Sequence, residues 1–177
     1  MTGFPVRDSA GEPYPYPFLG GFDVPRPQLL DIDRDGDQDL FLQERTGEVM
    51  FFERVSRDSA RAALGEGAPP YLWRTDAYRE LEVGDWFRFG DVDLDGDADL
   101  MGEEPFSHVR YYRNDGEPGR PDFVLAADTL RTVGGDAIFS DRQNVPNVGN
   151  VDCDDRQDLL VGRLAGTITR FEVAETV

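Results

Sequence analysis

A repetitive all-β fold is what this sequence predicts, and three observations carry the prediction. An acidic nine-residue window occurs three times, at Asp31–Asp39, Asp91–Asp99 and Asn150–Asp158, at offsets of 60 and 59 residues. Each window leads into a short apolar run, a turn and a second run rich in aromatic or β-branched residues. Glycine (19) and proline (12) punctuate the remainder at intervals that leave little room for long helices. A period near 60 residues is one supersecondary unit, and a unit of four strands is a β-propeller blade.

The elements follow in order. The ungapped match opens at Pro27, Phe87 and Pro146 and closes at Phe52, Tyr112 and Phe171, so 26 residues align per repeat. A first strand precedes each acidic window. After it, Leu40-Phe41-Leu42, Leu100-Met101 and Leu159-Leu160-Val161 have the composition of buried strands. Turn residues stand next, at Thr46-Gly47, Phe106-Ser107 and Ala165-Gly166, before return strands at Glu48–Arg54, His108–Arg113 and Thr167–Val173. Fourth strands are expected at Tyr71–Thr75 and Asp122–Ala126, each after a proline. Only 56–64 and 75–81 have helix-friendly composition, and both are read as loop excursions between blades. The 177 residues thus form one repeat domain, with blade 1 at about 20–80, blade 2 at about 81–130 and blade 3 at about 131–177.

Charge narrows the function classes. Thirty-six acidic residues face 18 basic ones, all arginine, for a net charge of −18. That balance argues against nucleic acid as a partner, and no apolar run is long enough to insert in a membrane. The three windows hold 14 Asp against Arg34 and Arg156, so −12 of the −18 sits in three loops. Such density is self-repulsive unless a cation neutralises it. The single cysteine, Cys153, forbids an intrachain disulfide. Met1–Asp8 lacks the apolar stretch of a signal peptide, which leaves a cytosolic protein or one whose leader has been removed.

The windows have the donor pattern of a calcium site. Carboxylates occupy positions 1, 3, 5 and 9 (Asp31, Asp33, Asp35, Asp39; Asp91, Asp93, Asp95, Asp99), with glycine at position 6 where the chain must turn. Calcium takes 6 to 8 oxygens at about 2.3–2.6 Å, and position 7, Asp37 or Asp97, lends its backbone carbonyl while its side chain stays outside the ligand set. An EF-hand would need glutamate at position 12, where Leu42 and Gly102 stand, so position 9 must close the site. Oxygen-only donors also disfavour zinc. The third window keeps oxygens on Asn150, Asp152, Asp154 and Asp158 but puts Asp155 in place of the glycine and Arg156 at position 7. It is expected to bind calcium weakly or not at all, with Arg156 pairing internally. Asp and Gly are common in ordinary turns, but chance does not place the full pattern twice in register.

DIDRDGDQDL and DVDLDGDADL, each followed by an apolar strand, and then YYRNDGEPGRPDF, resemble FG-GAP or VCBS-type repeats over nearly the whole chain. That resemblance implies blades like those of integrin-α-type propellers, with calcium held by the loop joining the first two strands. It also implies an extracellular or cell-surface protein and a non-catalytic role in binding, adhesion or scaffolding, with a protein or glycan ligand. The alternative it allows is an accessory, carbohydrate-binding domain of a larger secreted hydrolase. Three repeats are fewer than the four or more that close a ring. Either a homodimer completes it, with residues 1–10 as a closing strand, or further blades belong to a longer parent chain.

No enzyme is expected. His108 has no partner for nucleophilic catalysis, Cys153 sits among acids that suppress its thiolate, and adjacent Glu103 and Glu104 point to opposite faces of a strand. Tyr14, Tyr16, Phe18, Trp73 and Trp86 are read mainly as packing residues, with Tyr14, Tyr16 or Trp86 as a lesser alternative platform for a sugar ring.

Overall fold

A computed structural model describes residues 6–12, 14–17, 19, 21–44, 47–141 and 144–174. Among these residues the fold is all-β, with three antiparallel sheets, none of which closes on itself. The first contains β1 (Arg26–Leu30), β2 (Asp39–Gln43), β3 (Val49–Arg54) and β4 (Tyr71–Thr75), hydrogen-bonded in chain order. The second repeats this with β5 (Phe87–Gly90), β6 (Asp99–Glu104), β7 (His108–Asn114) and β8 (Phe123–Ala127). The third has β9 (Asn147–Gly149), β10 (Asp158–Gly162) and β11 (Ile168–Glu172) among the described residues.

The repeat survives in the register. Leu40 pairs with Phe52, Leu100 with Tyr112 and Leu159 with Phe171, so equivalent residues face one another in every sheet. The first two sheets share an irregularity at one place, between Phe51 and Phe52 and between Tyr111 and Tyr112, where the fourth strand joins. Such a bulge raises the local twist and bends the outer strand.

Two cores separate the sheets. Phe41 and Val49 of the first sheet meet Phe87, Phe89, Leu100 and Tyr112 of the second, with the Phe41 and Phe89 rings 4.6 Å apart. On the other face of the second sheet, Met101, Val109 and Tyr111 meet Leu159 and Val161 of the third, together with Trp86 and Ile138. The middle sheet is therefore covered on both faces, which is why β6 begins with four buried residues instead of an alternating pattern. Each fully buried Leu or Phe contributes about 1.5–3 kcal/mol. β5 lies beside both β1 and β9, so first strands of successive sheets are neighbours.

Two expectations need correction, the placement of 56–64 and the role of Trp86, whereas 75–81 does lie between the first two sheets. Residues 57–64 form a helix, α1 (Arg57–Leu64), and it joins β3 to β4 inside the first repeat instead of linking two repeats. Ser56 accepts a hydrogen bond from the Ser59 N–H at 3.1 Å, Asp58 lies in the first turn, and Ala60 is buried beneath the helix. Within 75–81 only a single 3₁₀ turn forms, Tyr78–Glu80, between β4 and β5. Trp86 is only 2% exposed in the second core, so it cannot stack on a sugar ring.

The other aromatics divide. Tyr16 packs edge-on against Phe52 and Trp73; its hydroxyl donates to the Tyr71 carbonyl and accepts from the Trp73 N–H at 2.8 Å. It is tied to the first sheet's outer strand, whereas Tyr14 is exposed. Phe18 lies outside the described residues, as do Met1–Pro5 of the expected closing strand and Thr46 of the first turn. Val6 and Tyr14 pair with each other in a local turn.

Candidate metal centre

In all three sheets the acidic loop joins the first strand to the second, so strand pairing on both sides holds its ends together. Within the first two loops, carboxylates at positions 1, 3 and 5 accept backbone N–H groups further along the loop. Asp31 accepts from Asp35 at 3.1 Å and from Gly36 at 3.0 Å, and Asp35 accepts from Asp37 at 2.9 Å. Asp91 accepts from Gly96 at 3.2 Å, Asp93 from Asp95 at 3.3 Å and Asp95 from Asp97 at 2.8 Å. These side chain to backbone turns curl the loop about its own oxygens. Position 4 is left-handed in every loop, at Arg34, Leu94 and Cys153 with φ between 59° and 63°. Position 6 is left-handed only where it is glycine, at Gly36 (φ 93°) and Gly96 (φ 92°). Asp155 keeps out of that region, so the third loop takes a different course.

The curl gathers carboxylates. Oxygens of Asp31, Asp33 and Asp35 lie within 4.8 Å of one another, and so do oxygens of Asp91, Asp93 and Asp99. Ligands on opposite sides of one calcium are about 4.6–5.2 Å apart. Asp39 and Asp95, which complete the predicted sets, are not among those triplets. Asp37 and Asp97 turn their side chains to arginines, Arg54 at 3.3 Å from Asp37, and Arg34 in contact with Asp97.

The position 9 residues begin the second strands and are buried. Asp39 is 2% exposed; its Oδ1 accepts from the Arg54 N–H at 2.8 Å, while its buried Oδ2 makes no well-formed hydrogen bond among the described residues, although the Ile32 N–H favours the charged carboxylate. Asp91 Oδ1 is a second buried oxygen that makes no well-formed hydrogen bond among the described residues. Asp99 accepts from the N–H groups of Val92 and Asn114 and from the Tyr111 hydroxyl. Burial pushes the carboxyl groups of Asp39 and Asp99 up to about 6. Asp33 and Asp91 are raised as well, chiefly by burial, with neighbouring carboxylates adding to it. Buried oxygens that lack well-formed hydrogen bonds, among groups whose charge is disfavoured, are what a bound cation would satisfy, so the residues present fit a hard divalent ion.

The third loop is built differently. Oxygens of Asp152, Asp154 and Glu172 come together, but Asn150 turns its amide N–H toward the Asp154 carbonyl. Asp158 is fully buried and accepts from the Val151 N–H and from Arg170 Nε. Burial by itself would raise its carboxyl, but those two bonds outweigh it and hold the group below the ordinary carboxylate range. Arg156 pairs with Glu172, the internal pairing the sequence suggested.

Neighbouring loops touch. Arg34 of the first donates to the Gly96 carbonyl of the second, and Gln157 of the third donates to the Asp91 carbonyl at 2.9 Å. Neither contact was read from the sequence, and nothing in a single repeat could have shown it. The residues weighed for catalysis are engaged structurally. Glu103 accepts from the Asp85 N–H, Glu104 pairs with Arg110, and His108 packs against Phe139. Cys153 is exposed. Among the described residues no helix is long and apolar enough to cross a membrane.

The fold and the loops define three successive antiparallel sheets, each with an acidic turn between its first two strands. Compared with protein-family models, with curated proteins and with solved structures, the chain matches none.

Proposed function

We propose that the chain is a calcium-binding, non-catalytic propeller-repeat module of FG-GAP or VCBS type, used for binding, adhesion or scaffolding outside the cell. The observation that carries this reading is the pairing of gathered carboxylates with a buried carboxylate oxygen that makes no well-formed hydrogen bond, at the same join of the first two sheets. A cation there would take up buried oxygens that make no well-formed hydrogen bond among the described residues, and calcium tolerates the irregular donor set better than magnesium does. The blade reading is supported by the strand order of the sheets, their face-to-face aromatic core and the adjacency of β1, β5 and β9, as expected of inner strands around an axis. The extracellular setting rests on the sequence resemblance.

Native mass spectrometry in calcium and after chelation tests the reading. Two ions per chain are expected, with a melting temperature that rises in calcium; an ion at 100 times its Kd adds about 2.7 kcal/mol. A chain that binds no ion and melts identically in chelator would overturn it.

A further inference from the structure

Arg170 stands at the register position of Phe51 and Tyr111. Each directly precedes the residue paired with the leucine that follows its acidic loop. In the first sheet the Phe51 ring lies in the core against Phe41 and Tyr78. In the second, the Tyr111 hydroxyl reaches the position 9 carboxylate, donating to Asp99 Oδ2 at 3.0 Å. A side chain at this position can therefore extend to the loop, and arginine is long enough to enter it.

Arg170 does so. Its Nε donates to Asp158 at 2.5 Å and its Nη2 to Asp152 at 2.5 Å, bridging positions 9 and 3, the pair whose counterparts Asp99 and Asp93 are gathered in the second loop. Nη2 also lies 3.4 Å from Glu172. We propose that the Arg170 guanidinium is the resident cation of the third loop, so that this repeat is closed by an internal ion pair and needs no metal. Formal charge agrees. Four carboxylates in each of the first two loops carry −4, which a divalent ion brings to −2; in the third, Asn150 leaves −3 and Arg170 brings it to −2. The Asn150 amide and the altered backbone at Asp155 complete a loop that has given up the ion's donors.

The assignment rests on the calcium reading for the first two loops, and two measurements separate the claims. In native mass spectrometry the wild type is expected to hold two calcium ions and the triple variant N150D/D155G/R170Y, which also restores the position 6 glycine, three. Three ions in the wild type, or still two in the triple variant, overturns the role of Arg170 and leaves the calcium reading intact. Amide hydrogen exchange answers independently of any ion. In chelator, R170M should lose protection by about tenfold or more across 150–158 relative to wild type, with 31–39 unchanged; tenfold is the exchange change that about 1.4 kcal/mol of local stability produces. Equal protection in the two proteins overturns the proposal even where no calcium binds.

Discussion

Glycine is required at position 6 of the first two loops by backbone angle, because a Cβ there would meet nothing nearer than about a van der Waals contact. Gly36 has open space around it and Gly96 has only an Arg34 nitrogen at 4.0 Å, yet both sit at φ above 90°, at 93° and 92°. Gly36→Ala should therefore cost only the strain of a left-handed residue, about 1–2 kcal/mol, and weaken calcium binding at that loop. Urea midpoints with and without calcium measure both effects, and an unchanged midpoint would show that the turn has another course open to it. Gly102 is the opposite case. Its Cβ would lie 2.8 Å from the Val83 Cα, so the sequence signal is the same residue but the cause is close packing. The carboxylate positions were legible because spacing alone reveals a ligand pattern. That Asp39 is buried while Asp37 faces Arg54 was not legible, since burial depends on what the strand packs against.

Strands were readable where local pattern and pairing agree. β2, β3, β6, β7, β10 and β11 fall where the apolar runs and turn residues place them, because one unit repeated three times averages out accidents of composition. The helix α1 was misplaced because composition near 56–64 cannot tell whether a connection lies within a sheet or between sheets. Between sheets, the Gln28 side chain acts as an extra strand partner. It donates to the Phe89 carbonyl at 3.0 Å and accepts the Phe89 N–H at 2.9 Å, tying β1 to β5. Gln28→Leu should leave both Phe89 groups unpaired and cost about 1–3 kcal/mol. Faster exchange of the Phe89 amide, together with a lower urea midpoint, is the expected signature; wild-type exchange would mean that the two sheets are held by their aromatic core alone.

The net charge of −18 and the raised carboxyls act together on stability. Asp39 and Asp99 titrate at about 6 in the folded chain against an ordinary carboxylate value of 3.8, so the folded state holds protons that the unfolded chain releases. Their contribution is full below about pH 4 and is lost as pH rises through about 6. In chelator, the melting temperature should rise as pH is lowered from about 7 to about 5. Calcium should flatten this dependence, since a bound cation favours the ionised form. Pairs such as Asp115 with Arg113 and Asp158 with Arg170 work in the other direction and fail only in stronger acid, where their lowered carboxyls protonate. A calcium-free profile that is level between about pH 5 and 7 would contradict the burial of the two position 9 carboxyls.

What the linear order of residues determined here is whatever repeats within one unit: the strand sequence, the turn positions and the donor spacing of each loop. These depend on neighbours a few residues apart, and short-range geometry is the same in every copy. Tertiary structure alone decided how the copies differ. Trp86 became core because the second and third sheets close over it, and Tyr16 became a packing residue because the N-terminal segment reaches the first sheet. Arg170 reached Asp158 and Asp152 because antiparallel pairing lays β11 beside β10, which begins where the acidic loop ends. Each of these depends on contacts between residues that pairing and packing bring together from separate stretches of chain.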